Sequence, residues 1–311
     1  MLRYILRRLA FAAFLMLSVS SLALVLARLA PGDFVTGTFG VDVRSETAEA
    51  ARARYGLNRP IGAQYREWVG RALRFDFGRS LLYDRPVGDL IPERAANTAV
   101  LAICALLVAT FVGLPLGVIS GSRDGAVAHA IRAASVVLLS LPPLLTSLFL
   151  VFVAARTGWL PVGGMTSAGG RDFLAHLVVP VAALALPLAA MFERLQSQAM
   201  QHTLAQPFVL ATLARGVPRA RVLWRGALKV SLQPIASVYG LVIGTLLSGS
   251  FAVETVTAWP GLGRLMLEAL RARDIYLVAG CAAAGSFFLA LGTVVSDAGL
   301  ALVDPRTTAR D

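Results

Sequence analysis

The side chains able to do chemistry are few, and none stands at a working spacing. His129, His176 and His202 form no pair at metal-ligand spacing, and there is no HExxH. No glycine-rich loop leads into Lys-Ser or Lys-Thr, so the chain lacks the usual cradle for ATP phosphates. Cys104 and Cys281 lie in separate apolar runs. Two isolated cysteines argue against a disulfide framework or a thiolate metal site, and for free, buried thiols. Glu193 and Asp297 are the acids set in or at the edge of apolar runs. An ion-coupled carrier usually shows several such groups along its path, and no proton relay can be built from these. No nucleophile and base stand together as a hydrolase would need. The expectation is a chain that binds no cofactor or metal and is not an enzyme.

One patterned polar stretch remains, from Glu193 to Gln233, with long apolar runs on both sides. It reads as too polar for lipid, and a mere connector needs only a few residues. Ser197 to Arg215 reads as one helix with Leu204, Phe208 and Leu213 as its apolar positions. Arg215-Gly216 reads as its stop, a cation in the last turn followed by a residue free to take positive φ. Pro218 then suits the first turn of a second helix, where its missing N–H costs nothing. Val217, Ala220, Trp224 and Leu228 recur along that helix at helical spacing. With Arg219, Arg221, Arg225 and Lys229 around it, the pair reads as a helix-turn-helix at a membrane surface that docks a soluble partner.

The elements that must position this segment are membrane spans. The 311 residues are 57% hydrophobic and only 15% charged, against about 25% in soluble domains. Mean hydropathy is +0.70. The net charge of +11 does not mark a nucleic-acid binder, because the arginines lie between apolar runs with no basic stripe among exposed aromatics. Six spans are expected: Leu9–Ala27, Thr98–Ser120, Ile131–Ala155, Leu177–Phe192, Pro234–Val253 and Tyr276–Val303. The first reads as retained rather than as a cleaved leader, since Arg28 spoils a small-x-small cleavage site. Residues 31–97 read as a helical subdomain with helices at Ser45–Tyr55 and Gln64–Leu73, and Trp68 suited to the interface. Arg3, Arg7, Arg8, Arg123, Arg132, Arg194 and the arginines of the central segment fall on one side with few acids, which places both termini in the cytoplasm. Glu254, Trp259, Pro260 and Gly261 lie in a second distinctive stretch, AVETVTAWPGLGRLM. Trp259 there reads either as an interfacial anchor or, with Val253 and Val256, as the outer lip of a passage.

The chain resembles the inner-membrane permease subunits of peptide/nickel-type ABC importers, of dipeptide permease B or oligopeptide permease B kind. The resemblance rests on LRYILRRL at the start, LAPGD at Leu29–Asp33, YGLNRP at Tyr55–Pro60 and DFGRS at Asp76–Ser80. RPVGDLIPER at Arg85–Arg94, GLPLGV at Gly113–Val118, GWLPVGG at Gly158–Gly164, VETVTAWPGLGRL and VDPR continue it in order. It implies an all-α integral membrane protein with six transmembrane helices of the type I importer permease fold. Residues 1–30 would hold the tail and first helix, 31–97 a helical periplasmic subdomain, 98–303 the core, and 304–311 a cytoplasmic tail. It implies a second homologous permease subunit in a heterodimer, two ATP-binding subunits that use ATP and Mg, and a solute-binding protein that is periplasmic or lipid-anchored. The central segment, residues 194–233, is similar to the family's EAA-type loop, a coupling helix that docks on an ATPase. The contact would fall on Gln206, Phe208, Val209, Ala211, Thr212, Arg215, Gly216 and Val217. Leu210-Ala211-Thr212 departs from the family's pattern of a polar residue followed by small ones. An ion-gradient-driven carrier is the alternative reading.

Overall fold

In lipid, only a structure that pairs its own backbone groups is tolerated, so long apolar runs must become helices. The structure, a computed structural model, describes residues 2–35, 49, 52–53, 58–165 and 170–303. Its helices are α1 (Leu2–Leu29), α2 (Ile61–Ala72), α3 (Val87–Ser122), α4 (Ala126–Leu139), α5 (Pro143–Thr157), α6 (Gly170–Leu204), α7 (Pro207–Ala214), α8 (Arg219–Ser231), α9 (Gln233–Val256), α10 (Leu262–Ala272) and α11 (Ile275–Val303). Among the described residues the only β pairing is an isolated bridge between Arg79 and Pro86. The helix expected at Ser45–Tyr55, the Asp297 side chain and the tail from Asp304 lie outside what is described.

Among the described residues four helices are long and apolar enough to cross a membrane, and six spans result if each of two bent pairs counts as one. The third expected span is corrected by one such pair: α4 and α5 meet at 103°. Pro142 is extended, at φ −58° and ψ 147°, because a residue before proline avoids the helical region. Pro143 then starts α5 at the position where it costs nothing. The second span begins earlier than expected, at Val87. The fourth does not stop at Phe192 but continues to Leu204.

The chain divides into two compact units. The first holds Met1–Ala99 and Pro260–Ala290. Here α2 packs against α1, and Leu24, Trp68, Ala72 and Ala279 form a buried cluster. Trp68 is therefore not an interfacial residue: it is buried, and its indole N–H donates to the Phe77 carbonyl at 3.3 Å. The DFGRS stretch folds as a turn. The Asp76 carboxylate accepts from the Gly78 amide at 2.9 Å, and Gly78 takes φ +94°. Ser80, fully buried, donates at 2.6 Å to the buried carboxylate of Asp274. Asp274 also accepts from the amides of Leu82 (3.0 Å) and Leu277 (3.1 Å), so it caps α11 and ties the Ser80–Leu82 loop to that helix end. Nearby, the Tyr83 hydroxyl donates to Glu268 at 2.6 Å, and Arg264 donates to the other oxygen at 2.9 Å.

The second unit holds Val100–Trp259 and Leu291–Asp311. Its core is organised by a ridge along α3 that begins at the buried Leu101 and continues in small residues, Ala105, Ala109, Gly113, Gly117 and Gly121, spaced by four. The glycines admit α6 at backbone contact. A Cβ on Gly113, Gly117 or Gly121 would lie 2.5 Å from the Ala189 carbonyl oxygen, Gln196 Cβ or the Ser197 carbonyl oxygen respectively. Such ridges let helices pack where lipid gives no hydrophobic drive. Phe192 stacks on Tyr239 at 5.1 Å, and the Tyr239 hydroxyl shares a 2.5 Å hydrogen bond with Thr110. α4, α5 and α9 also pack against α6. Trp259 is fully buried, 5.9 Å from Phe173, so the interfacial-anchor reading is corrected as well.

Candidate functional site: the segment between α6 and α9

The expected single helix from Ser197 to Arg215 is two helices. The first is the end of α6. Its buried face passes from Ala189 through Phe192, Glu193, Gln196, Ser197 and Met200 to Thr203, without a break at the apolar boundary. These residues were expected to lie in a polar interruption outside the bundle, yet Glu193 and Gln196 are among the most deeply buried in the chain. Glu193 and the Gln196 amide nitrogen have side-chain partners, whereas the Gln196 Oε1 and Ser197 Oγ atoms are buried without one among the described residues. The Ser120 hydroxyl donates to Glu193, and the Gln196 amide donates to the Ser231 hydroxyl at 2.7 Å. Ser231 in turn donates to the Leu228 carbonyl at 3.1 Å. α3, α6 and α8 are thereby joined through side chains as well as by close packing.

Pro207 ends α6. Gln206 is extended, at φ −77° and ψ 145°, and Pro207 opens α7. α7 reads PFVLATLA, eight residues without a charge. Only Val209 is buried; Phe208 is 39% exposed, Leu210 65% and Leu213 38%. Thr212 turns its hydroxyl inward to the Phe208 carbonyl at 2.7 Å, which leaves the outer surface apolar. A helix this short is not stable alone in water, and an exposed apolar group of this kind marks a surface that something covers.

The Arg215-Gly216 stop is present as the sequence indicated. Arg215 sits at the C-cap, Gly216 takes φ +79°, and its amide donates to the Leu213 carbonyl at 2.9 Å. Pro218 precedes α8 as its cap. The apolar stripe expected on α8 is out of phase. Trp224 is 47% exposed and Ala220 is exposed, while Val222, Ala227, Ser231 and, in α9, Ile235 are buried. The buried face instead starts at Val222, where a π-helical turn runs over Val222–Ala227. That turn inserts one residue, so the buried face jumps by five before resuming at four.

The base of the segment is fixed. Val118, Met200 and Ala227 form a buried cluster with Leu204, Leu223 and Leu228 around it. Arg219 donates to the Ser122 carbonyl at 3.2 Å, anchoring α8 to the end of α3. The segment is thus an apolar head, α7, carried on a rigid base.

Of the residues singled out in sequence, Phe208, Ala211, Arg215 and Gly216 share the exposed head, Gln206, Thr212 and Val217 are half-buried and Val209 packs inward. Glu254 and Trp259 are fully buried in the second unit, whereas Pro260 and Gly261 belong to the first. Of the two cysteines, both free, Cys281 is buried and Cys104 only half-buried. Sequence reasoning missed Gln196, Ser231 and Asp274. The i, i+3, i+4 stripe from Ala189 to Thr203 was the signal for the first of these.

Residues 113–309 match the family of binding-protein-dependent transport system inner membrane components. The chain belongs to that family. Residues 1–102 match the N-terminal region of binding-protein-dependent transport system membrane components. This permease is 30% identical to the oligopeptide transport system permease protein AppB of Bacillus subtilis, over 98% of the chain and 99% of the relative. It is 31% identical to a putative peptide permease protein of Brucella suis, over 98% and 99%. A probable peptide ABC transporter permease protein of Sinorhizobium fredii is 31% identical over 97% and 98%. As a membrane permease subunit it is not itself an enzyme, and membership of a binding-protein-dependent family sets aside the ion-driven carrier.

Proposed function

We propose that this permease forms half of the passage of an ATP-driven importer of di- or oligopeptides, and that α7 is where an ATP-binding subunit docks. The observation that carries the reading is α7 itself, an uncharged apolar helix held outside the bundle on a base formed by α3, α6 and α8. The peptide substrate is supported by the names of relatives that align end to end. The partners are a second permease subunit, two ATP-binding subunits and a solute-binding protein. ATP and Mg are used by the ATP-binding subunits, in keeping with a chain that has no phosphate loop. The segment Glu193–Gln233 and both termini face the cytoplasm, as the crowding of arginine there supports.

The stroke follows from the connections. Closure of the ATP-binding subunits presses on Phe208, Leu210 and Ala211. Gly216 and the Pro207 break let α7 pivot, while Arg219 and the Gln196–Ser231 bond pass the push to α3 and α6. α9 carries it about 36 Å, at 1.5 Å per residue over its 24 residues from Gln233 to Val256, past Glu254 and towards Trp259. There the buried Glu254 and Trp259 of the second unit form the outer gate. The bundle shifts between two packed states biased by nucleotide and by the loaded binding protein.

The test is uptake of a labelled oligopeptide by proteoliposomes holding the permease pair and the ATP-binding subunits. Uptake is expected only with ATP and binding protein present, and is expected to fall at least tenfold with Phe208→Ala plus Leu210→Asp. Uptake by this chain alone on a proton gradient, unaffected by those changes, would overturn the reading.

A further inference from the structure

A cavity in the second unit lies beside the base of the segment. It has a volume of about 360 Å³ and is lined by Gly121, Ser122, Arg123, Asp124, Arg132, Gln201 and Leu204. That volume lies within the range of roughly 300–1,000 Å³ of small-ligand sites. It sits at the turn between α3 and α4. Two of its lining side chains are cations, and they are underused. Arg123 is exposed and has no ion-pair partner among the described residues. Arg132 donates from Nε to the Ala128 carbonyl at 3.2 Å, folding its side chain back toward the start of α4. Its Nη2 is buried and makes no hydrogen bond. The nearest anion is Asp124 at 3.9 Å, too far for one, on a side chain that is wholly exposed and therefore screened. A third cation, Arg219, donates to the carbonyl of Ser122, itself a lining residue. A buried guanidinium nitrogen without an acceptor carries a desolvation cost that an anion in the cavity would offset.

What supplies the anion is indicated by α4. Arg132 stands on a helix whose Val127, Val136 and Val137 are exposed, at 69%, 53% and 61%. α4 is the first half of a bent pair apolar enough to span a membrane. A polar cavity lined by Arg132 of a helix with exposed apolar side chains matches the two ends of a phospholipid. We infer that the cavity binds the headgroup of an anionic phospholipid, with the phosphate on Arg132 and Arg123 and the acyl chains along α4. Because Arg219 joins the cavity wall to the base of α8, an occupied site also steadies the segment that carries α7.

The purified full-length permease, delipidated in detergent, is titrated with phosphatidylglycerol and with phosphatidylcholine and read by native mass spectrometry. Preferential retention of phosphatidylglycerol is expected, weakened about fivefold for each arginine removed in Arg123→Gln and Arg132→Gln, and largely kept in Arg132→Lys. Should Arg132→Gln melt earlier than the parent, Arg123→Gln on the exposed turn carries the comparison. Equal retention of the two lipids, or equal phosphatidylglycerol binding by parent and variants, would overturn the site. Displacement by glycerol phosphate in solution as effective as that by added phosphatidylglycerol would assign the cavity to soluble phosphate esters and overturn the lipid.

Discussion

Gly117 shows how closely single residues set this bundle. Its missing Cβ leaves room for Glu193 O at 2.7 Å and Gln196 Cβ at 2.5 Å, both of the α6 stretch that carries the buried polar groups. Gly117→Ala should therefore destabilise the purified permease by about 1–3 kcal/mol, the cost of overpacking, in a detergent melting assay. Gly62→Ala, at a position with open space around its Cβ, is the control and should leave the midpoint unchanged or raise it. In the first unit, Tyr83 and Glu268 give a pH signature. Burial, and then the hydrogen bond to Glu268, push Tyr83 from its ordinary 10 up to about 12. Burial opposes ionisation of Glu268, but Tyr83 and Arg264 outweigh it and hold the carboxyl below its ordinary 4.5. The stability from Glu268 is thus complete above pH about 4.5 and lost as pH falls through its lowered value. That from Tyr83 is complete below pH 10 and lost as pH rises through about 12. Since both groups are partly exposed, the Glu268 contribution is less than about 1 kcal/mol. The difference in melting point between parent and Glu268→Gln should shrink as pH drops below 4.5; a difference that grows there would contradict the pairing. Asp274 and Glu193 were not legible as buried groups in the sequence, because their partners, Ser80 and Ser120, are remote along the chain.

At the scale of elements, helix ends were easier to read than helix faces. Gly216 could be placed as a stop because positive φ needs a residue without a Cβ, and it sits at +79°. Pro207 carries an equally clear signal, since it separates α6 from α7 where helical periodicity alone runs on to Arg215. The π-helical turn at Val222–Ala227 left no mark in the sequence and shifted the buried stripe by one residue. Polarity does not mark the limit of the bundle at α6, because Glu193, Gln196 and Ser197 are buried against α3 and α8. Gly216 offers the direct element-scale prediction. Gly216→Asn should retain most ATP-driven uptake, since asparagine tolerates left-handed φ, while Gly216→Val should lose it at least tenfold. Equal uptake by the two variants would show that the turn does not set the orientation of α7.

For the molecule as a whole, composition alone pointed to a membrane protein of about six spans, and the motifs in order pointed to the permease family. What composition could not supply was the mixture of four continuous spans and two bent pairs, since a bend is set locally, as by Pro142-Pro143, and not by overall apolarity. The central claim is that α7 meets an ATP-binding subunit. It is tested most directly by placing one cysteine at Leu210 in a Cys104→Ala, Cys281→Ala background and adding a bifunctional thiol-to-amine cross-linker to the assembled importer. The account predicts a cross-linked species joining the permease to the ATP-binding subunit, its yield changing when ATP is added. No such species, together with labelling of that cysteine from outside intact cells by a membrane-impermeant maleimide, would contradict it.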